Sequence, residues 1–318
     1  MNPTPSTRAG LWFGLAAYGW WAFVFPLHVK ALGAVAPADV TAEPVAWSLE
    51  ILAHRIVWSL LFCLLLCWQR GSFGRLRETL RDRSAFGRLG LAAVLVTINW
   101  SVFIVAMARG ELYRAGIGYF VTPVVQIALG TLLLGERLRR SQWWAVGFAG
   151  AGMAVLLGIA IALGGELPWI EAALALSFGF YGLVRKGVKV GPVVGLTVET
   201  GVLTPIALAW LLLGPGLLAV PPAFLSGTGT ASLLALTGIS TAVPLLCFAA
   251  AAARLPLSTI GFLQFTAPTG QVLLGVFVYG ERPADPSLWL GYGLIWMAVM
   301  VLAFDMLRAR LRAGNRGP

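Results

Sequence analysis

The sequence contains little charge. Only 11% of its 318 residues are Asp, Glu, Lys or Arg, whereas a soluble domain carries roughly a quarter. Apolar residues make up 58% of the chain, more than one soluble core could cover without leaving large apolar patches against water. The shortage of charge excludes an ordinary soluble protein and indicates a chain that crosses a membrane many times.

Residues able to carry out chemistry are also scarce. The chain has two histidines, His28 and His54, and its three cysteines lie within apolar runs without CxxC or Cys/His spacing. The sequence therefore predicts no metal site and no disulfide. It contains no GxxxxGK[ST] phosphate-binding loop, which argues against ATP hydrolysis. It offers neither a mid-membrane serine and histidine nor paired aspartates. We expect neither an enzyme nor a bound cofactor.

The net charge of +10 would suit a nucleic-acid-binding protein, but the basic residues lie in the wrong places for one. They occupy short gaps between apolar runs rather than a soluble basic face. With the N-terminus in the cytoplasm, 18 Lys and Arg fall in inner gaps, 4 fall in outer gaps, and Arg55 lies within a span. The positive-inside rule then predicts a multi-pass protein of the bacterial inner membrane with both termini cytoplasmic.

Ten apolar segments are long enough to cross about 30 Å of hydrocarbon as helices. They occupy 11–29, 49–67, 88–108, 114–134, 142–162, 168–184, 195–213, 231–252, 257–279 and 287–306. The first is predicted to be a retained membrane helix rather than a cleaved signal, because it is rich in Trp and Tyr. The alternation typical of membrane β-barrels does not recur. The prediction is an all-α membrane protein, with an arginine-rich amphipathic linker at 69–87.

One phrase occurs twice in the sequence. PVVQIALGTLLLGER occupies 123–137 and PTGQVLLGVFVYGER occupies 268–282, an offset of 145 residues. The copies fall in the fourth and ninth spans, so the chain divides into five-helix halves, 1–163 and 164–318. Because five is odd, the second half enters the membrane from the opposite side. Inverted repeats are typical of secondary transporters, whose halves open one central site alternately to each side.

Four segments carry a resemblance to a known family: EILAHRIVWS at 50–59, GYFVTPVVQIALGTLLLGERLRRSQWWAV at 118–146, SFGFYGLVRK at 177–186 and QFTAPTGQVLLGVFVYGE at 264–281. They resemble the RarD group of the EamA family, in the drug/metabolite transporter superfamily. The resemblance implies a ten-helix inner-membrane permease with a central substrate cavity, in a group associated with chloramphenicol resistance. We therefore expect export of a small organic metabolite or drug. An amino-acid or other metabolite exporter of the same superfamily is one alternative, and a non-transporting receptor or scaffold is another.

Polar and aromatic side chains within the spans predict where a substrate binds. Tyr119, Thr122 and Gln126 fall at i, i+3 and i+7 on one helix face. The repeat offset pairs Tyr119 with Gln264 and Gln126 with Gln271. A polar stripe toward lipid would be costly, so we expect it to face the interior. The predicted cavity residues are Trp20, Arg55, Asn99, Tyr119, Thr122, Gln126, Tyr181, Gln264 and Gln271. Hydrogen bonding between helices is the alternative interpretation of this set.

Three further groups of residues are assigned from the sequence. His54 and Glu199 are predicted proton carriers, because ionisable groups within spans generally serve a function. Pro123 and Pro268 are predicted bends or hinges, because proline removes a backbone hydrogen bond. The end of each copy carries a Glu-Arg pair, either as a local charge pair at the membrane interface or as a gate: Glu136, Arg137, Glu281 and Arg282. The expected partners are a small-molecule substrate, the lipid bilayer and protons, and the oligomeric state stays open.

Overall fold

The computed structural model describes residues 5–38, 42–109, 112–164, 169–278, 280 and 286–314. The regular structure in these residues is helical, and they contain no β-strand. The all-α part of the prediction is therefore confirmed.

The helices succeed one another along the chain with short connections. In order they are α1 (Pro5–Gly19), a π-helical turn (Trp20–Val24), α2 (Phe25–Val35), α3 (Pro44–Gln69), α4 (Phe73–Arg81), α5 (Arg83–Ala108), α6 (Leu112–Leu132), α7 (Arg140–Gly164), α8 (Trp169–Gly187), α9 (Pro192–Leu218), a 3-10 turn (Ala223–Leu225), α10 (Thr228–Ala252), α11 (Leu257–Gln264), α12 (Thr266–Val278) and α13 (Leu288–Gly314).

Proline and one left-handed residue set several of these boundaries. Helices α3 and α9 begin at Pro44 and Pro192, where the missing N–H removes a donor that would have no partner in the first turn. Helix α9 ends at Ala219, whose φ of 53° breaks the helical path. The break between α11 and α12 at Phe265 lies three residues before Pro268, which lacks the N–H needed to bond the Gln264 carbonyl.

The described residues of the ten predicted apolar segments lie mainly on helix, and the segments at 114–134 and 287–306 each extend beyond a helix end. Within the described residues, eight helical stretches are long and apolar enough to cross a membrane: 6–35, 44–69, 83–106, 114–132, 140–159, 192–217, 228–252 and 257–278. Helix α8 is not among them, and the apolar part of α13 covers 288–301. The predicted linker forms the separate helix α4. Many large apolar side chains are exposed, and Leu132, Leu212 and Phe277 are 81%, 79% and 80% exposed. So much exposed apolar surface is stable only in contact with lipid. The chain is a multi-pass membrane protein.

Two of the six apolar clusters in the described interior contain the most residues. The larger joins α1, α3, α5 and α8 to α11, with Tyr18, Phe178 and Phe248 among its fully or almost fully buried members. The smaller joins α6, α7 and α13 around Phe120 and Ile295. Helices α6 and α11 pack against each other where the two clusters meet. This contact places the first copy of the repeated phrase beside the segment that precedes the second copy.

Candidate functional site

A cavity of about 600 Å³ lies between the π turn, α3, α5, α6, α10, α11 and α12. Its volume falls in the range of small-molecule sites. Aromatic rings, amides and one arginine supply most of its lining, which includes Tyr18, Trp21, Phe25, Arg55, Asn99, Trp100, Phe103, Tyr119, Phe178, Gln264, Pro268 and Gln271. The cavity reaches the exposed residues Val29 and Lys30, and there it opens to the outside of the bundle.

Arg55 presents a positive charge to this cavity. Its Nε donates to Thr241 Oγ1 on α10 over 2.9 Å. The guanidinium carbon lies 4.7 Å from the centre of the Trp100 ring and 5.1 Å from that of Phe25. Contacts of this kind attract a cation through the negative face of the ring. One hydrogen bond and two rings thus hold the guanidinium against the cavity wall.

Asn99 links three helices at the cavity wall. Its Nδ2 donates to the Leu174 carbonyl over 3.0 Å and to Ser177 Oγ over 3.1 Å, both on α8. Its Oδ1 accepts a hydrogen bond from the Tyr119 hydroxyl of α6 over 3.4 Å. Asn99 therefore fixes α5 against α8 while it orients the Tyr119 ring along the cavity.

The π turn gives the cavity part of its shape. A π turn contains one more residue than an α-turn and leaves a backbone carbonyl without its usual partner. Gln271 of α12 donates its Nε2 hydrogen to the Trp21 carbonyl over 2.9 Å. A methyl group on Gly270 would lie 2.5 Å from the Ala22 Cβ, so a larger residue would separate α12 from the turn. Gln271 and Gly270 together hold α12 against the widened turn.

The break at Phe265 places two further residues on the cavity. Gln264, the last residue of α11, accepts a hydrogen bond from the Tyr18 hydroxyl over 3.3 Å. Pro268 lies on the lining one turn further along the chain. Its counterpart Pro123 lies inside the continuous helix α6, and its carbonyl would be 2.8 Å from a methyl group on Gly261. The two prolines therefore have different surroundings.

Glu136 follows the end of α6 and connects it to the first turn of α11. Its carboxylate accepts hydrogen bonds from the Leu257 and Ser258 N–H groups over 2.7 and 2.8 Å, and from the Ser258 hydroxyl over 2.7 Å. These N–H groups are the first donors of α11, which have no partner within the helix and favour a negative charge. The turn that brings Glu136 there uses Gly135 at φ 65°.

The other residues predicted at the two ends have distinct positions. Arg137 is exposed, and in the described part of the chain neither Glu136 nor Arg137 forms an ion pair. Lys186 of α8 donates to the Leu255 carbonyl in the turn that Glu136 also contacts. Glu281 and Arg282 lie outside the described residues. Glu136 therefore binds the start of α11, ahead of the second copy, through backbone and hydroxyl hydrogen bonds.

Comparison with known proteins identifies the chain's family. The model of the EamA-like transporter family matches residues 8–158. Protein RarD of Streptomyces exfoliatus is 41% identical over 99% of this chain and 95% of its own length. Protein RarD of Escherichia coli is 38% identical over 97% of this chain and 98% of its own. This chain belongs to the EamA-like transporter family. The relatives make it a RarD-like member, which confirms the resemblance stated from the sequence.

The fold of this EamA-like transporter also occurs in a solved structure. One crystal structure of a protein with 19% sequence identity superposes with a TM-score of 0.65, covering 95% of this chain and 98% of the other. At this identity the likeness concerns the fold. Since the family is one of transporters, the membrane cavity described above is its candidate site. In the described residues, no group of three His, Cys, Asp or Glu is placed to hold a metal ion.

Four residues that the sequence assigned to the cavity lie outside its lining in this EamA-like transporter. Thr122 is fully buried and donates to the Gly118 carbonyl of its own helix. Gln126 is fully buried between α6, α8 and α11, and neither its amide oxygen nor its nitrogen has a hydrogen-bond partner among the described residues. Trp20 does not line the cavity, whereas its neighbour Trp21 does. Tyr181 contacts Glu199 instead of the cavity.

Glu199 belongs to a buried ion pair. Its Oε1 lies 2.9 Å from Arg185 Nη1, although the N–H is not aligned for a hydrogen bond. Its Oε2 accepts a hydrogen bond from the Tyr181 hydroxyl over 3.1 Å. Both charged side chains are almost fully buried. The arginine partner comes from α8, so Glu199 pairs with Arg185 and not with Arg55.

His54 faces a second, smaller cavity of about 270 Å³. Its Nδ1 accepts a hydrogen bond from the Trp58 indole over 3.2 Å, and its ring stacks on Phe224 at 4.8 Å. Its Nε2 lies 3.9 Å from Glu50 Oε1. Glu50 in turn accepts hydrogen bonds from the Ala223 and Phe224 N–H groups. His54 and its neighbour Arg55 therefore face different cavities.

Several residues near these sites carried no clear signal in the sequence. Arg185 precedes a lysine at the end of a span, where an arginine is expected to be a topology signal, yet it is 4% exposed. Glu50 and Glu171 also lie near the ends of predicted spans, where a charged residue is expected at the membrane surface. In the structure, Glu171 instead forms a buried pair with Arg114 at 2.9 Å. The depth of Glu199 within its span was the available clue, since a buried carboxylate requires a partner.

Proposed function

We propose that this chain is a secondary-active permease of the bacterial inner membrane that exports a small organic molecule by alternating access. The observation that carries the proposal is the cavity within the helical bundle, which reaches exposed residues at one end, together with the Glu136 contact to α11 beyond the other end of α6. Gly116, near the start of α6, lines the cavity, while Glu136 follows the end of the same helix and its carboxylate lies beside Gly130. Gly116 and Gly130 are 14 residues apart on this 21-residue helix, so about 21 Å of helix separates this part of the cavity lining from Glu136.

The packing of the helices supports two five-helix halves, 1–163 and 164–318. If helix k of the first half corresponds to helix k + 5 of the second, contacts should occur in exchangeable pairs. The contact of α6 with α8 has its counterpart in α12 with the π turn, and that of α5 with α8 has its counterpart in α10 with α1. The contact of α3 with α10 corresponds to that of α9 with α5. A two-fold relation between halves accounts for all three pairs.

Inverted topology results if all ten helical segments span the membrane. Successive spans alternate in direction, so an odd number per half reverses the second copy. The excess of Lys and Arg in alternate gaps then places both termini in the cytoplasm. In that orientation Glu136 closes the cytoplasmic end and the cavity faces the periplasm. A reporter fused to the C-terminus that proved periplasmic would contradict this arrangement.

Transport itself is the decisive test. The purified protein would be screened for thermal stabilisation by metabolites, amino acids and amphenicols, and each ligand that stabilises it would be tracked in proteoliposomes. We expect net movement of at least one such solute, driven by an ion gradient, by exchange or by its own gradient. Binding without movement would favour the receptor or scaffold alternative, and movement confined to amino acids would favour the amino-acid exporter. Chemical conversion of the solute would contradict a permease.

Coupling to protons belongs to the same proposal, with His54 and Glu199 as the carriers. Glu199 is buried beside Arg185 and Tyr181, and His54 lies beside Glu50 at the second cavity. We expect Glu199→Gln or His54→Ala to abolish the pH dependence of transport while substrate binding stays measurable. An unchanged pH dependence in both variants would refute proton carriage by these residues without affecting the assignment as a permease.

A further inference from the structure

The charges on the cavity wall restrict what it binds. Arg55 lies within the cavity and Lys30 lies at its mouth, while the described lining includes no Asp, Glu or His. The remaining lining residues are aromatic, aliphatic, amide or hydroxyl groups and glycines. Arg55 therefore gives the described inner wall of the cavity a positive charge.

Arg55 has no carboxylate partner in the described part of the chain, where the ion pairs are formed by other residues. Thr241 binds its Nε, and no hydrogen bond from Nη1 or Nη2 to a described residue is present. A cation within a membrane span is costly unless a counter-charge or water compensates it. Two free N–H groups on one edge of a guanidinium match the two oxygens of a carboxylate.

The other polar groups of the cavity already have protein partners. Asn99 binds α8 and accepts from Tyr119, Gln264 accepts from Tyr18, and Gln271 donates to the Trp21 carbonyl. These bonds consolidate the wall. Arg55 differs from these groups because its charge has no counter-charge within the described structure. A ligand group that binds Arg55 therefore contributes more binding free energy than one that binds an already paired amide or hydroxyl.

We infer that the cavity takes an organic anion, namely a carboxylate attached to a flat apolar body. Arg55 binds the carboxylate, and the rings of Trp21, Phe103 and Phe178 pack against the body. The inference rests on the proposed function, because it treats this cavity as the site of the transported molecule. A neutral amphenicol leaves Arg55 without a counter-charge, and an amine is repelled by it.

The test compares three probes of one shape and different charge on the purified full-length protein. They are 3-phenylpropionate, 3-phenylpropionamide and 3-phenylpropylamine, titrated by calorimetry at pH 7. We expect the carboxylate to bind at least about ten-fold more tightly than the amide, and the amine to bind most weakly, since a charge-assisted hydrogen bond exceeds a neutral one. Equal affinities, or no binding by any of the three, would overturn the inference.

Variants locate the effect at Arg55. Arg55→Gln is expected to lower carboxylate affinity to the level of the amide while amide affinity stays within about two-fold. Arg109→Gln is the matched control, because Arg109 also lies over a tryptophan ring, 5.5 Å from that of Trp169, but outside the cavity lining. A persistent preference for the carboxylate in Arg55→Gln would overturn the inference. The comparison of the three probes on the unmodified protein remains decisive if that variant does not fold.

Failure of the inference and failure of the proposed function give different results. Proteoliposome transport of a neutral or cationic solute, blocked by a thiol reagent on Gln271→Cys, would leave the permease intact and overturn the anion inference. Binding of 3-phenylpropionate that depends on Arg55, together with no transport of any solute that the screen finds, would support the anion site and contradict the permease.

Discussion

Gln126 on α6 and Gln271 on α12 each come three residues after a proline in the two copies of the repeated phrase, yet their surroundings are opposite. Gln271 lies on the cavity and donates to the Trp21 carbonyl. Gln126 is 0% exposed, and its amide has no hydrogen-bond partner in the described residues. Similar local sequence therefore produced one amide on the cavity wall and one in buried packing.

The difference reflects the state of the two ends of the bundle. Around Gln126 the helices are closed, with Glu136 bound to α11 and the Arg185–Glu199 pair buried nearby on α8 and α9. Around Gln271 the π turn and the break at Phe265 interrupt two helices, and the Gln271 side chain lies on the cavity. If the proposed alternating access operates, we expect the two glutamines to exchange surroundings in the opposite state. An amide buried without partners is costly, which makes Gln126 a marker of the closed end.

The largest expected effect concerns the buried ion pair of the closed region. Arg185→Met leaves the Glu199 carboxylate buried without its cation, so we expect a loss of about 3–5 kcal/mol in the free energy of unfolding. Unfolding in mixed micelles by sodium dodecyl sulfate would measure it. The matched control is Arg139→Met, which removes an exposed partner of Asp305 and should cost less than about 1 kcal/mol. Equal losses of unfolding free energy in the two variants would show that the Arg185–Glu199 pair is exposed to water.

The next effect concerns the closure at Glu136. Glu136→Ala removes three hydrogen bonds to the start of α11, and bonds to a charged group contribute about 1.5–3 kcal/mol each. We expect the reaction of a Gln126→Cys variant with a polar maleimide to accelerate at least about ten-fold. Gln271→Cys should react fast with or without the change.

Arg137→Ala serves as the control for Glu136→Ala. Arg137 is the exposed neighbour of Glu136 and forms no ion pair in the described residues. Labelling of Gln126→Cys should therefore change by less than about two-fold. An acceleration as large as that of Glu136→Ala would mean that the charge pair, rather than the cap on α11, closes this end.

The smallest expected effect has opposite signs at the two glutamines. Gln126→Leu replaces an unpaired buried amide by an apolar group of similar size, so the free energy of unfolding should stay equal or rise by about 1 kcal/mol. Gln271→Leu leaves the Trp21 carbonyl without its partner and should lower it by about 1 kcal/mol. Melting temperatures in detergent would report both shifts. Changes of the same sign would remove the contrast between the two regions.

Much of the fold was predictable from the sequence because its signals are local. Apolar runs such as 49–67 and 231–252 lie on helices of the structure, since only a helix satisfies its own backbone in lipid. Part of the site was predictable as well. Arg55, Asn99 and Tyr119 line the cavity, because a polar group within a span avoids lipid.

The rest of the site depended on contacts between distant segments. Trp21 rather than Trp20 lines the cavity, and no periodic polar pattern in this span distinguished the two adjacent tryptophans. In the sequence, Arg185 has the position of a topology signal at a span end. In the structure, Glu199 of α9 lies 2.9 Å from it and the two form a buried ion pair. His54 faces the small cavity beside Phe224, although it is the chain neighbour of Arg55.

The sequence by itself determined the membrane environment, the helical segments, the repeated phrase and the resemblance to the EamA family. These depend on hydropathy and on residue order, which act along the chain. Tertiary structure alone decided which of two equivalent glutamines meets the cavity, which carboxylate pairs with which arginine, and which end is closed. The physical reason is that both copies of the phrase have the same local preferences. Packing across the bundle, with Glu136 bound to the start of α11, distinguishes them.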